Sequence, residues 1–139
     1  MKTIKAGCYM VNTENKTVAI VHREKQNDYS FPKGHLDEGE TILAGAIRET
    51  EEETKHTPKI MDIEPFVEEY KTPKGEECIC YMFYATDGGK SDNTHWDTHP
   101  TKWIKFEEVE NVLTYESLKK SWAVAKEVIK KIIEQCKIK

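Results

Sequence analysis

Two short apolar-rich runs at the start of the chain, Thr3 to Val11 and Thr17 to His22, flank the polar pentapeptide Asn12-Thr13-Glu14-Asn15-Lys16. Apolar runs of this length around an Asn-rich turn predict a β-hairpin. Gln26-Asn27-Asp28 reads as a loop, and Pro32 and Gly34 predict no regular element over Tyr29 to Gly34. From Thr41 to Lys55 the period changes. Leu43, Ala46, Ile47, Thr50 and Thr54 recur at spacings of three and four, which predicts a helix bounded by Pro58.

Lys59 to Tyr70 and Glu77 to Thr86 read as two strands joined at Thr72-Pro73-Lys74-Gly75. The second alternates strictly, with Cys78, Cys80, Met82 and Tyr84 on one face and Ile79, Tyr81, Phe83 and Ala85 on the other. A polar loop is expected over Asp87 to Thr98, then a short strand over Thr101 to Phe106. Tyr115 to Cys136 carries a long amphipathic stripe of Leu118, Trp122, Ala125, Val128, Ile129, Ile132 and Cys136. Strands, a helix, further strands and a last helix predict an α/β fold, a mixed sheet covered by helices on both faces.

The length of 139 residues suits a single domain over 1–139, large enough to fold without disulfide or metal staples. No apolar stretch approaches the roughly 20 residues needed to span a bilayer, and Met1 to Lys5 lacks a signal-peptide core, so a cytoplasmic protein without membrane contacts is expected. Cys8, Cys78, Cys80 and Cys136 form no Cys-x-x-Cys pair and read as small buried apolar residues. A net charge of −4 disfavours a nucleic-acid duplex as partner. It is compatible with a phosphorylated small molecule reached through a cation.

The acidic residues are concentrated where they matter. Glu49, Glu52 and Glu53 are spaced i, i+3 and i+4, on one face of the expected helix beside its apolar stripe, while Glu51 points away and should be solvated. Carboxylates gathered in a groove repel one another, and a divalent cation removes that penalty. An all-oxygen set selects Mg²⁺ or Mn²⁺ over Zn²⁺. Arg48 is placed to anchor a neighbouring carboxylate by a bidentate contact, and Gly34 to let the backbone turn sharply into the helix. An isolated Glu51-Glu52-Glu53 run would be an ordinary solvated face. Six identities at fixed spacing, however, match by chance on the order of once in 10⁵ chains of this length.

Gly34, Glu40, then Arg48-Glu49-Thr50-Glu51-Glu52-Glu53 resembles the Nudix box, and the order of elements is similar to that family's α/β/α sandwich. The match spans 23 positions, Gly34 to His56. Lys55 stands where the family has Gly and His56 where it has an apolar residue, departures expected to alter the loop after the helix. The resemblance implies a hydrolase of P–O–P bonds, Glu49, Glu52 and Glu53 as metal ligands with Glu52 and Glu53 also catalytic, and Glu40 and Arg48 supporting the loop–helix geometry. It further implies a loop carboxylate acting as base, and Asp97 stands about where the dinucleoside branch carries one. Phe31-Pro32-Lys33-Gly34-His35 resembles the entry segment of dinucleoside-polyphosphate hydrolases.

Lys33 and His35 would then place positive charge beside phosphates, with Arg23 and Lys25 as further candidates. Tyr29, Tyr81, Phe83 and Tyr84 are candidates to stack on a base, Tyr81 foremost. His95 and His99 could suggest a zinc pair, but no cysteine lies near them. The expected substrate is a nucleotide, with diadenosine tetraphosphate leading. A nucleoside triphosphate, oxidised or not, is the alternative, as is a non-catalytic nucleotide-binding module. The oligomeric state is left open.

Overall fold

A computed structural model describes residues 2–91 and 101–137, with backbone only for 136 and 137. The strands β1 (Thr3–Asn12), β2 (Thr17–Arg23), β3 (Asp28–Ser30) and β4 (Lys33–His35) precede the helix α1 (Ile42–Thr54). Then follow β5 (His56–Ile60), β6 (Phe66–Lys71), β7 (Glu77–Lys90) and β8 (Thr101–Lys105). A 3₁₀ turn (Phe106–Glu108), the short α2 (Val109–Val112) and α3 (Glu116–Lys137) complete the described chain.

The eight strands form one mixed sheet, in which β1 and β7 run parallel at its centre. Both central strands are long enough to hold two partners end to end on their outer sides. Along β1, β4 pairs with Lys5–Gly7 and β2 with Val11–Asn12. Along β7, β6 pairs with the first half and β5 with the second. Alternation then assigns the two faces. Ala6, Cys8 and Ala85 meet Ala46 of α1, whereas Tyr9, Val11, Cys80, Met82 and Tyr84 form the larger core with Trp122, Ala125, Ile129 and Ile132 of α3. This is the expected α/β/α sandwich. Among the described residues, no helix is long and apolar enough to cross a membrane.

The hairpin, the alternation of β7, the turn at 72–75, β8 and the stripe of α3 lie where the periodicity places them. Cys8, Cys78 and Cys80 are buried and free, as expected; the side chain of Cys136 lies outside the described residues.

Several expectations are corrected. Tyr29 to Gly34 is not irregular: two three-residue strands lie within Asp28–His35, β4 held by β1 and β3 by β2. Lys59 to Tyr70 is not one strand, because the chain turns at 61–65, where Ile63 donates to Met61, before Pro65 leads into β6. The strand ending expected at Thr86 continues to Lys90, paired with β5. On α1 the buried side is rotated away from Leu43, which is 43% exposed, towards Gly45, Ala46, Thr50 and Thr54. A Cβ at Gly45 would meet the side chain of Leu36, just after β4, at 2.1 Å, and Ala46 packs on Ala6, Cys8 and Ala85 of the sheet. The smallest side chains therefore define its contact side, and Glu49 and Glu53 fall in that sector.

Nor does a loop follow α1. Thr41 caps its start, accepting from the Ala44 amide at 3.1 Å, and Lys55 ends it in the left-handed region at φ 64°. The Lys55 amide donates to Glu51 O and its Nζ to Glu52 O. β5 begins at once with His56, whose Nδ1 lies 2.8 Å from Asp87 Oδ1 and whose ring meets Trp103 edge-on. The left-handed conformation costs a non-glycine residue about 1 kcal/mol, partly offset by the greater freedom of glycine when unfolded. Lys55→Gly should therefore stabilise the protein by about 0.5 kcal/mol, read as a higher denaturant midpoint at unchanged slope. A lower midpoint would mean that the Nζ contact outweighs the strain.

Candidate active site

The segment entering the helix is anchored by Phe31, 2% exposed, which stacks on Trp122 at 5.7 Å and meets Tyr9 edge-on at 4.8 Å. These contacts fix Lys33–His35 against β1. The register puts Gly34 opposite Ala6, on the α1 face of the sheet, and Lys33 and His35 opposite Gly7 and Lys5, on the α3 face. Gly34 has no left-handed backbone, so the expected sharp turn is not its reason. A Cβ there would stand 2.2 Å from Glu49 Oε2. Gly34 is needed because the Glu49 carboxylate lies against its backbone.

Arg48 ties the loop to the helix. Its Nε and Nη2 donate to the two carboxylate oxygens of Glu40 at 2.7 and 2.9 Å, the bidentate contact anticipated for it. Nη2 also donates to His35 O at 3.0 Å. Its other arm, Nη1, reaches Glu49 Oε1 at 2.9 Å and both oxygens of Glu52 at 3.3 Å. Glu40 accepts in addition from the Asp37 amide. The Arg48 contacts and this amide hold the Glu40 carboxyl down to about 2.

The acidic stripe is not uniform. Burial pushes Glu49 up from the usual carboxylate range, against the pull of Arg48. Burial together with the charge of Glu49 pushes Glu53 up to about 8, opposed by the Lys33 amide and by the charges of Arg23 and Lys33. Glu52 is half exposed. Glu51 departs from expectation: it is partly buried and accepts from Thr57 Oγ1 at 2.9 Å. Among the described residues, no three acidic, imidazole or thiol groups stand close enough to share one ion. Arg48 bridges Glu49 and Glu52, while Glu53 turns to Lys33. The donor chemistry nonetheless fits a hard divalent cation, since two recessed carboxylates are held against their preference for water and all offer oxygen.

The structure brings Glu40, Arg48, Glu49, Glu52, Glu53 and Gly34 together, with Arg23 alongside; Lys33 joins them by its amide at Glu53, while its side chain starts from the α3 face. His35 is exposed on the other face of the sheet. Tyr81 lies opposite Ala6, on the α1 face, apart from the Lys33 and His35 side chains. Tyr84 is a core residue, and Tyr29 is stacked on His22 at 4.3 Å. Asp97, His95 and His99 lie outside the described residues. Two polar residues passed over in the sequence, Glu68 and Ser121, meet at 2.6 Å in a hollow on the α3 face that Lys33 also lines. No local signal marks that pair, which joins β6 to α3.

A mixed sheet between two helices, with an Arg-bridged acidic stripe packed on a glycine of the preceding strand, defines the class of fold and site. The model of the NUDIX domain matches residues 1–131. The chain belongs to the Nudix family, whose hydrolases generally use divalent metal ions.

An 8-oxo-(d)GTP phosphatase of Mycolicibacterium smegmatis is 39% identical over 72 residues, 52% of this chain and 22% of that protein. Nudix hydrolase 5 of Arabidopsis thaliana is 24% identical over 114 residues, 78% of this chain and 38% of that protein. The chain thus spans well under half the length of these curated relatives. A NUDIX hydrolase from Nitrosomonas europaea superposes with a TM-score of 0.72 at 16% identity, covering 93% of this chain and 90% of that one. The C. elegans Ap4A hydrolase, in a binary complex, gives 0.70 at 20%, covering 91% and 97%. At such identities the likeness shows the fold.

Proposed function

We propose that the chain is a metal-dependent hydrolase cleaving a phosphoanhydride bond in a nucleoside-diphosphate-linked substrate, with a dinucleoside polyphosphate such as diadenosine tetraphosphate leading. The supporting observation is the pair Glu49 and Glu53, recessed beside Gly34 and Lys33 at a cost in solvation that a bound cation would relieve. Glu49, Glu52 and Glu53 would hold Mg²⁺ or Mn²⁺, which when bound neutralises phosphate charge and makes a water acidic. Arg23 and Lys33 bind the phosphate chain, with His35 as a further contact, Lys33 and His35 reaching it from the α3 face. Arg48 and Glu40 keep the helix registered on the loop, and Gly34 leaves room for Glu49. Glu52 and Glu53 are the proposed catalytic carboxylates, and Asp97 the proposed loop base. Tyr81 is retained as the candidate base-stacking residue. The proposal treats 1–139 as one catalytic unit in the cytoplasm, acting on small nucleotides.

Lys33 favours the longer substrate. Its charge reaches Glu53, so it adds a cation for phosphates beyond those that a metal ion at the acidic stripe would neutralise. A second nucleoside adds contacts that orient the scissile bond. The expected kcat/KM for diadenosine tetraphosphate is at least about tenfold above that for dATP or dGTP, or about 1.4 kcal/mol. Chromatography of products after incubation with Mg²⁺ should show ATP with AMP for an asymmetric cut, or ADP alone for a symmetric one. The likeness to the M. smegmatis 8-oxo-(d)GTP phosphatase supports a second reading, a nucleoside triphosphate pyrophosphohydrolase. Equal or reversed preference selects it. A tight nucleotide complex without turnover on any compound of a broad panel selects a binding module instead.

A further inference from the structure

Asp28 is a carboxylate only 1% exposed, at the edge of the sheet. It accepts Arg23 Nε at 2.8 Å, Arg23 Nη2 on its other oxygen, and the Tyr115 hydroxyl at 2.7 Å. Tyr115 is 87 residues away in sequence and directly precedes α3. The same junction is fastened a second time, by the Tyr29 amide donating to Thr114 Oγ1 at 2.8 Å. Arg23, by contrast, keeps 41% of its side chain exposed. The acid of this pair is buried and the base faces solvent.

The sheet register says where that base faces. Asn12 pairs with Thr17, so Ala19, Val21 and Arg23 share the α1 face with Ala6 and Cys8. Thr101 lies opposite Val21 and its hydroxyl donates to Glu53 O at 3.0 Å. Two residues further along β2, Arg23 stands on the same face, near enough for its charge to oppose the rise of the Glu53 carboxyl. With Nε and one hydrogen of Nη2 committed to Asp28, the Nη1 edge stays free of that carboxylate.

We infer that Asp28 and Tyr115 are positioning residues that hold Arg23 as a preset phosphate-binding cation of the site. This rests on the hydrolase reading and extends it to residues outside the box. A buried acid is a poor device for stability alone, since desolvation offsets much of the attraction and apolar residues of similar size do as well. It suits aiming a guanidinium, whose planar fork can bind a carboxylate with one edge and a phosphate with another. A side chain already ordered by Asp28 and Tyr115 loses less rotamer freedom when the phosphate arrives.

Steady-state kinetics on diadenosine tetraphosphate and calorimetric binding of inorganic pyrophosphate, both with Mg²⁺, test the assignment on the whole chain. Asp28→Asn should raise KM, and the pyrophosphate Kd, about tenfold with kcat within about threefold. Tyr115→Phe, which leaves the carboxylate in place, should move both in the same direction by a smaller factor. The decisive arm is a double-mutant cycle: in an Arg23→Met background, Asp28→Asn should change neither constant further.

The inference is overturned if Tyr115→Phe and Asp28→Asn leave both constants within twofold of the wild type. It is equally overturned if the effect of Asp28→Asn persists in full without Arg23. Should Asp28→Asn fail to fold, Tyr115→Phe with and without Arg23→Met supplies the same cycle. Arg23-dependent pyrophosphate binding without turnover of any nucleotide removes the hydrolase reading and keeps this one; turnover with a KM indifferent to Arg23 does the reverse.

Discussion

Glu52→Gln is expected to lower kcat by about 10²-fold or more while leaving the fold almost untouched. Glu52 is half exposed, and its described side-chain contact is one arm of Arg48 at 3.3 Å. Removing its charge costs a weak exposed ion pair, about 0.5 kcal/mol, and relieves the like charge pressing on Glu49. A large loss of rate without loss of stability is the mark of a group kept for chemistry. Glu51→Gln is the matched control, one residue away and turned towards Thr57, and should retain wild-type kcat. Excess EDTA should abolish turnover in the wild type. Full activity in EDTA, or equal losses in the Glu51 and Glu52 variants, would remove the metal assignment.

The long-period parts of the fold were legible because one face of each is buried. The alternation of β7 and the stripe from Leu118 to Ile132 on α3 report that burial directly. Three-residue strands have no period to read, so β3 and β4 were hidden behind Pro32 and Gly34. They exist because β2 and β1 present open edges to them. The spacing of 49, 52 and 53 groups the acids on one side of α1, but Leu43 and Ile47 point to a different rotation of the helix from the one it has. The close approach allowed by Gly45 and Ala46 decides that rotation. It recesses Glu49 and Glu53 and leaves Glu52 in solvent. The need for Gly34 was visible and its reason was not, because the reason is the carboxylate of a residue fifteen positions on. The Asp28–Arg23–Tyr115 cluster could not be read locally at all, since its hydroxyl arrives from the far end of the chain.

Arg48→Met should destabilise the metal-free protein by about 2 to 4 kcal/mol at neutral pH, more than the other substitutions considered. Methionine fills a similar volume, so the loss comes from charge and hydrogen bonds rather than from packing. The side chains of Glu40 and Glu49 are only 14% and 15% exposed. Without the guanidinium Glu40 keeps the Asp37 amide as partner, Glu49 becomes an unpaired recessed anion, and His35 O loses its donor.

The pH dependence separates this account from a packing defect. The folded-state value for Glu40, about 2, lies below the usual carboxylate range, so its contribution is present above about pH 4.5 and is lost as the pH falls towards 2. In the variant that depression is largely absent, and Glu49, already raised by burial, is stabilised by taking up a proton as the pH falls. The difference in stability between wild type and Arg48→Met should therefore narrow steadily from pH 6 to pH 3, measured by urea unfolding in EDTA at each pH. A difference that stays constant across that range would assign the loss to packing, and Arg48 would then be a spacer and not the charge on which the acidic stripe is built.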